Sequence, residues 1–142
     1  MSQRFIVASI RKPLSKDINA DLQWFGLSLG LFGERDKEKS CFRIFVALVR
    51  ATRARHAVTS DELAKLAHLS RGTVIFHLHK LQEAGFVVVE EGKYLLRTDT
   101  LSELVTELER DVQRCFSDVR KAAEELDAEL GLTKVRRERS LD

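Results

Sequence analysis

The sequence has few helix breakers and few cysteines, and both shortages narrow the class of protein. One proline and seven glycines in 142 residues leave long uninterrupted stretches, which favours helical structure. Cys41 and Cys115 lie far apart, with no second cysteine near either. This spacing argues against a disulfide scaffold and a Cys-x-x-Cys metal site, and we expect both thiols to be buried.

Long apolar runs and enzyme motifs are also missing. No stretch of about 18 apolar residues could span a bilayer, and the N-terminus lacks the pattern of a signal peptide, so we expect a cytoplasmic protein. The sequence has no glycine-rich phosphate loop, no paired-histidine metal motif and no nucleophile in a recognisable turn. We therefore expect no enzyme activity, no cofactor and no metal, and the sequence indicates no small-molecule effector.

Charges of the two signs nearly balance overall but are unevenly distributed. The net charge is only +2, which by itself indicates no partner. Residues Arg50 to Gln82 carry a net charge of +4 and all four histidines, whereas residues Asp99 to Leu130 carry −6. A basic half could face the phosphates of a nucleic acid while the acidic half stays away from them.

The N-terminal part predicts an arm and two helices. The apolar run Phe5 to Ala8 could be a short strand or an arm, closed by Pro13. Ser15 is then a candidate N-cap for a helix that ends at Gly30. The buried stripe of this helix is expected at Ile18, Leu22, Phe25 and Leu29.

A charged run, Glu34 to Lys39, is expected to open the second helix. Its apolar face is assigned to Phe42, Phe45, Val46 and Val49, with or without Leu48. The helix ends in a basic cluster, where cations either complement the helix dipole or contact phosphate. Both interpretations stay open for Arg50, Arg53, Arg55 and His56.

Two short helices follow in direct succession. Thr59 and Glu62 form a capping box that starts a helix with Leu63, Leu66 and Ala67 on its buried face. The segment His68 to Ser70 ends it, and Ser70 caps the next helix, which buries Val74, Leu78 and Leu81 before Gly85 stops it. Two helices joined by about three residues are a helix-turn-helix.

A hairpin and a long helix complete the chain. The β-rich segments 86–89 and 94–96, separated by the turn 90–93, predict a wing. Thr100 and Glu103 then form a second capping box. The following helix has a stripe spaced alternately by four and three residues, which is typical of a coiled-coil seam. The stripe consists of Leu101, Val105, Leu108, Val112, Cys115, Val119, Ala122 and Leu126.

The seam predicts a partner helix, which could be the N-terminal helix of the same chain or the equivalent helix of a second subunit. We favour the second, because the stripe is longer than one short helix could cover. The dimer interface is then expected at Leu101, Val105, Leu108, Val112, Cys115, Val119 and Leu126. The tail beyond Gly131 is basic at Lys134, Arg136, Arg137 and Arg139, as a solvated end or a nonspecific phosphate contact.

The segment Leu69 to Val87 carries a family resemblance. The cap Ser70, the pairs Thr73-Val74 and His77-Leu78, Leu81 and the turn Glu83-Ala84-Gly85 resemble the winged-helix transcription regulators of the arsenical-resistance repressor (ArsR) type. The resemblance extends roughly from Thr59 to Arg97. It implies a homodimeric repressor or other regulator, with flanking N- and C-terminal helices at the dimer interface.

The second helix of the motif, Ser70 to Ala84, is accordingly the expected recognition helix in the major groove. Arginine can read guanine, hydroxyls can bond phosphates or base edges, and apolar side chains can touch thymine methyls. Ile75 and Phe76 could instead pack under the wing or against another protein. The expected DNA-binding residues are Ser60, Ser70, Arg71, Gly72, Thr73, Ile75, Phe76, His79, Lys80 and Lys93. His77 is expected to be structural, and it cannot share a metal with His79, which points to the other side of the helix.

Two features depart from the ArsR pattern. The stretch Thr59 to Leu69 has no cysteine, which argues against thiolate metal sensing on that helix. The wing tip Glu90-Glu91-Gly92-Lys93 carries two carboxylates that phosphates would repel. We therefore expect the wing to contact DNA through Lys93 or not at all.

The sequence thus predicts a mainly α fold with a small β-hairpin. Four regions follow, namely an N-terminal arm and helix (1–33), a winged helix-turn-helix DNA-binding domain (34–98), a long C-terminal dimerisation helix resembling a coiled coil (99–131) and a basic tail (132–142). The leading hypothesis is a homodimer that binds double-stranded DNA sequence-specifically and regulates transcription. The alternative is a winged-helix protein–protein interaction module in a transcription or other nucleic-acid complex.

Overall fold

The computed structural model describes residues 3–12, 14, 16–33 and 39–135. The chain divides into two compact units, Met1–Val105 and Thr106–Asp142. The described residues form five helices and one antiparallel hairpin, which confirms the predicted mainly α architecture with a wing and a long C-terminal helix. The elements are α1 (Ile18–Ser28), α2 (Ser40–Arg53), α3 (Ser60–Ala67), α4 (Arg71–Glu83), β1 (Val87–Glu90), β2 (Lys93–Leu96) and α5 (Leu101–Leu130).

Helix α1 begins later than expected. Its N-cap is Asp17, whose carboxylate accepts from the Asn19 amide at 3.1 Å, so Ser15 is not the cap and itself lies outside the described residues, as does Pro13. The expected buried stripe is wrong, because Ile18 is 73% exposed and Leu22, Phe25 and Leu29 are only half-buried. The first turn of α1 has no core to pack against, so apolar spacing alone overestimates its burial.

Gly26 packs closely against the Phe32 ring. It is the buried residue of this helix, and a Cβ atom built on it would lie 2.1 Å from Cζ of Phe32. Phe32 in turn meets Phe42 edge-on, with ring centroids 5.6 Å apart. The Phe32 ring therefore occupies the space that any larger side chain at position 26 would need.

Replacing Gly26 with alanine is expected to destabilise the protein by about 1–3 kcal/mol, the usual range for overpacking. The sign of this change in the free energy of unfolding is informative, because the same substitution inside an ordinary exposed helix stabilises it by about 1 kcal/mol. Urea unfolding followed by circular dichroism measures the difference. The double variant Gly26→Ala with Phe32→Leu should recover part of the loss, and a stabilised single variant would contradict this packing.

Helix α2 turns a different face to the core than expected. The buried residues include Cys41, Ile44, Phe45 and Leu48, whereas the predicted face also contained Phe42, Val46 and Val49, which are half-buried. The arginines of α2 lie opposite the observed core face, so the amphipathic pattern favours this face and the prediction placed it too far toward the arginines. The expected burial of Cys41 is confirmed, and its thiol donates to the Leu31 carbonyl oxygen at 3.2 Å. Residues 34–38 of the expected opening run lie outside the described residues, and Lys39 precedes α2.

The core beneath the helix-turn-helix follows the prediction with one exception. Val74, Leu78 and Leu81 of α4 are buried, as are Leu63 and Ala67 of α3. Leu66 was expected on the same buried face but is 59% exposed. Helix α3 is only two turns long, so one apolar position on its flank has no neighbour to cover it.

The wing is a tight hairpin. Strand β1 pairs with β2 from Val87 opposite Leu96 to Glu90 opposite Lys93. Glu91 and Gly92 both have positive φ, as a type I′ turn requires. Val58 adds a bridge to Tyr94, with backbone hydrogen bonds of 3.0 and 2.6 Å, so the entry to α3 is tied to the wing.

Helix α5 starts at the predicted cap, where the Glu103 amide donates to the Thr100 hydroxyl at 3.2 Å. Leu104 is fully buried in the first unit. In the second unit Leu108 and Asp111 are buried, and Asp111 pairs with Arg114. From residue 113 to residue 135 every side chain is exposed. The expected burial of Cys115 is therefore wrong for the single chain.

No helix among the described residues is long and apolar enough to cross a membrane.

Candidate nucleic-acid interface

A short turn fixes α4 relative to α3. The Leu69 amide donates to the Ala64 carbonyl at 2.9 Å, and His68 takes a left-handed conformation with φ of 55°. Ser70 then accepts from the Thr73 amide at 3.2 Å and donates to the Thr73 hydroxyl at 2.8 Å. The Ser70 hydroxyl thus serves first as a helix cap, which satisfies one of the free amides at the start of α4.

The start of α3 is held by the predicted capping box. The Glu62 amide donates to the Thr59 hydroxyl at 3.1 Å, and the Glu62 carboxylate lies 3.4 Å from His56 Nε2. Desolvation raises the pKa of Glu62, but its hydrogen bonds with Thr59 and His56 outweigh this and leave the pKa below its ordinary value. Ser60, the first residue of α3, is half-buried beside this box.

The solvent side of α4 consists of two adjacent rows with a spacing of four residues. One row is Arg71, Ile75 and His79, and the other is Gly72, Phe76 and Lys80. All are exposed except Ile75, which is half-buried, as is Thr73 at the margin. Phe76 is 56% exposed, and a Cβ atom built on Gly72 would meet nothing within 4 Å. The helix therefore offers a continuous face that a flat partner can approach.

Two contacts position the cations of this face. Arg71 Nε lies 3.5 Å from the Asp61 carboxylate, with both side chains more than two-thirds exposed. Lys80 Nζ lies 4.5 Å from the centre of the Phe76 ring. Exposed ion pairs of this kind contribute roughly 0–1 kcal/mol, so phosphates or base edges can compete with Asp61 for Arg71.

The wing tip presents mixed charge. Glu90, Glu91 and Lys93 are all exposed, so Lys93 can approach a phosphate only with two carboxylates nearby. The prediction that the wing contacts DNA through Lys93 or not at all therefore stays a prediction.

The N-terminal arm is a part of this surface that sequence reasoning missed. It runs as an extended segment whose Gln3 amide nitrogen donates to the Ala84 carbonyl at 3.3 Å, and the Ala8 amide donates to Ser28 at 2.8 Å. Arg4 shares a groove of about 530 Å³ with Phe76 and Lys80. Arg4 thus joins the basic residues near the C-terminal half of α4. Its contacts join residues some 80 positions apart, which no local pattern indicates.

The described residues hold no cluster of three or more side chains able to bind a metal ion. Residues 57–89, from the loop before α3 into β1, match the family described as bacterial regulatory protein, arsR family. The helix-turn-helix of this chain is of the ArsR type. The predicted resemblance is confirmed, and the match supports DNA binding and transcription regulation as the role of this motif. No curated protein and no solved structure matches the chain.

Proposed function

We propose that the protein is a cytoplasmic, homodimeric regulator that places α4 in the major groove of double-stranded DNA and reads a specific sequence there. Repression is the direction that the ArsR resemblance implies. Base reading rests on Arg71, Thr73 and His79, with thymine methyl contacts from Ile75 and Phe76. Ser60, Ser70, Gly72, Lys80 and Lys93 supply close approach or phosphate contacts.

The exposed face of α4 carries this proposal. From Arg71 to Lys80 the sequence has three histidine or lysine side chains and one arginine but no carboxylate. A polyanion along this stretch therefore meets no carboxylate of α4 itself and competes only with Asp61 of α3 for Arg71, whereas a partner rich in cations would gain nothing from it. The ArsR match supports DNA as that polyanion.

The exposed end of α5 supports the dimer. Val119 and Leu126 of the predicted seam are 58% and 53% exposed. Phe116 and Leu130, which the seam did not include, lie on the same side of the helix and are also exposed. A long exposed apolar stripe marks an interaction surface, and a second copy would cover it as in a coiled coil.

Selection of bound sequences from a random DNA pool tests the proposal as a whole. We expect a near-palindromic site whose half-sites are about 10 base pairs apart, because two-fold symmetry places the two recognition helices one helical turn apart. Recovery of no preferred sequence, or of one without two-fold symmetry, would contradict a dimeric groove reader.

On the selected site, Arg71→Ala is expected to weaken binding by about 1–3 kcal/mol and to relax preference at one position of each half-site. Lys93→Ala should weaken binding to all sequences alike and reduce the salt dependence by about one charge. Fluorescence anisotropy at several salt concentrations separates the two effects. Unchanged affinity of Arg71→Ala for the selected site would show that α4 does not read the groove.

One observation favours the alternative docking module. Phe76 is a large exposed aromatic side chain on the proposed contact face, and such residues are common at protein interfaces. Binding to DNA that is weak and nearly independent of salt would favour this second function, because phosphate contacts weaken steeply as salt rises.

A further inference from the structure

A groove with a volume of about 610 Å³ lies along α2 and is bounded by the start of α1 and the end of α3. Its described lining residues all belong to the first compact unit. Small-molecule sites in proteins usually enclose about 300–1,000 Å³. The groove is therefore large enough for a ligand with a chain or ring system of moderate size.

Apolar side chains that do not enter the core form much of the groove wall. Phe42 and Val46 of α2 and Leu66 of α3 line it, and these are three positions where the expected core burial proved wrong. Phe42 and Val46 are half-buried, and Leu66 is mostly exposed. Covering such surface with an apolar ligand contributes favourably to binding, at about 25 cal/mol per Å².

The charged lining is predominantly positive. Lys39, Arg43 and Arg50 line the groove, and Asp17 is the one carboxylate among its described lining residues. Asp17 already accepts the Asn19 amide as the cap of α1. Among the described residues, the groove thus combines an apolar wall with more cations than carboxylates, which complements a molecule that is apolar at one end and anionic at the other.

Arg43 is the best-placed of these cations. Its Nε atom is shielded from solvent and has no hydrogen-bond partner among the described residues. Buried donors in proteins are nearly always satisfied, and the planar guanidinium fork matches a carboxylate. Because Nε is shielded, an anionic ligand in the groove would meet this guanidinium through its Nη atoms, or through Nε after the side chain rotates.

We propose that this groove binds a small molecule with an apolar body and a single carboxylate, with the carboxylate at Arg43 and the body against Phe42, Val46 and Leu66. Leu66 and His68 of the groove lie only a few residues before Ser70, the cap of α4. A ligand bound in the groove would therefore affect the position of the recognition helix, and this last step rests on the proposed function. Binding of the ligand to the groove does not rest on it.

Isothermal titration calorimetry of the full chain without DNA tests the site, with decanoate as the probe and decanol as its uncharged match. We expect saturable binding of one decanoate per chain and at least about tenfold weaker binding of decanol, because the charge-assisted contact is lost. Absence of saturable decanoate binding, or equal affinity for both probes, overturns the proposal. Because no DNA is present, a failed operator assay leaves this result unaffected.

Matched arginine variants locate the carboxylate. Arg43→Gln is expected to weaken decanoate binding about tenfold or more, whereas Arg53→Gln removes a cation from the same helix outside the groove and should leave it unchanged. Equal effects of the two variants would overturn the placement at Arg43. Methyl NMR of the unmodified chain gives a readout that needs no variant. Decanoate should shift the Val46 and Leu66 methyl signals and not those of Leu78, and the reverse pattern would place the ligand elsewhere.

Discussion

The double variant Val119→Glu with Leu126→Glu is expected to be monomeric and to bind the selected operator at least about 100-fold more weakly. Both side chains belong to the exposed seam of α5, and a glutamate at each would bring like charges together across a two-fold interface. A dimer binds its second half-site as an intramolecular step, which typically strengthens binding by 10²–10⁴-fold. Losing the dimer removes this gain without touching the contact face of α4.

Sedimentation equilibrium and operator titration measure the two effects. The matched control is Ser117→Glu with Ala128→Glu, which adds the same two charges on the opposite side of the helix. The control should remain dimeric and bind the operator normally. A seam variant that stays dimeric, or a control that dissociates equally, would show that the interface lies elsewhere.

Leu78→Ala is expected to lower the free energy of unfolding by about 2–5 kcal/mol, the range for truncating a buried leucine. Leu78 is fully buried, yet it is only two residues from the exposed Phe76 on the same helix. Phe76→Ala should cost less than about 1 kcal/mol, since a side chain more than half exposed loses little burial. Urea unfolding of both variants therefore distinguishes the core side of α4 from its contact side.

Operator titration gives the complementary result. At a temperature where both variants are folded, Phe76→Ala should weaken operator binding more than Leu78→Ala does, because Phe76 lies on the proposed contact face. If Phe76→Ala were the more destabilising variant, the assignment of the two sides of α4 would be reversed.

Local signals predicted the helix-turn-helix correctly. The caps at Thr59, Ser70 and Thr100 form hydrogen bonds within three residues, so their spacing in the sequence fixes the helix starts. The stop at Gly85 is equally local, because its positive φ is a property of glycine itself. These signals needed no knowledge of the tertiary packing.

Most of the wrong predictions concern side chains whose surroundings depend on tertiary contacts. The arginine pattern of α2 favours Ile44 and Leu48 as core residues, but that Phe42 and Val46 border a groove depends on how other helices pack beside them. The stripe predicts a buried Cys115, whereas the single chain leaves this part of α5 uncovered. The packing of the arm beside Ala84 depends on a contact between distant parts of the chain, which periodicity does not encode.

The attachment of the arm also determines what the chain's intrinsic fluorescence reports. Trp24 is the single tryptophan, and its indole N–H donates to the Ile10 carbonyl at 2.9 Å while Lys12 lies 6.0 Å from its ring. Detachment of the arm would change the surroundings of this fluorophore and leave the helical content nearly intact. Emission and far-ultraviolet dichroism therefore follow different events, and a mismatch between them would signal a released arm rather than a folding intermediate.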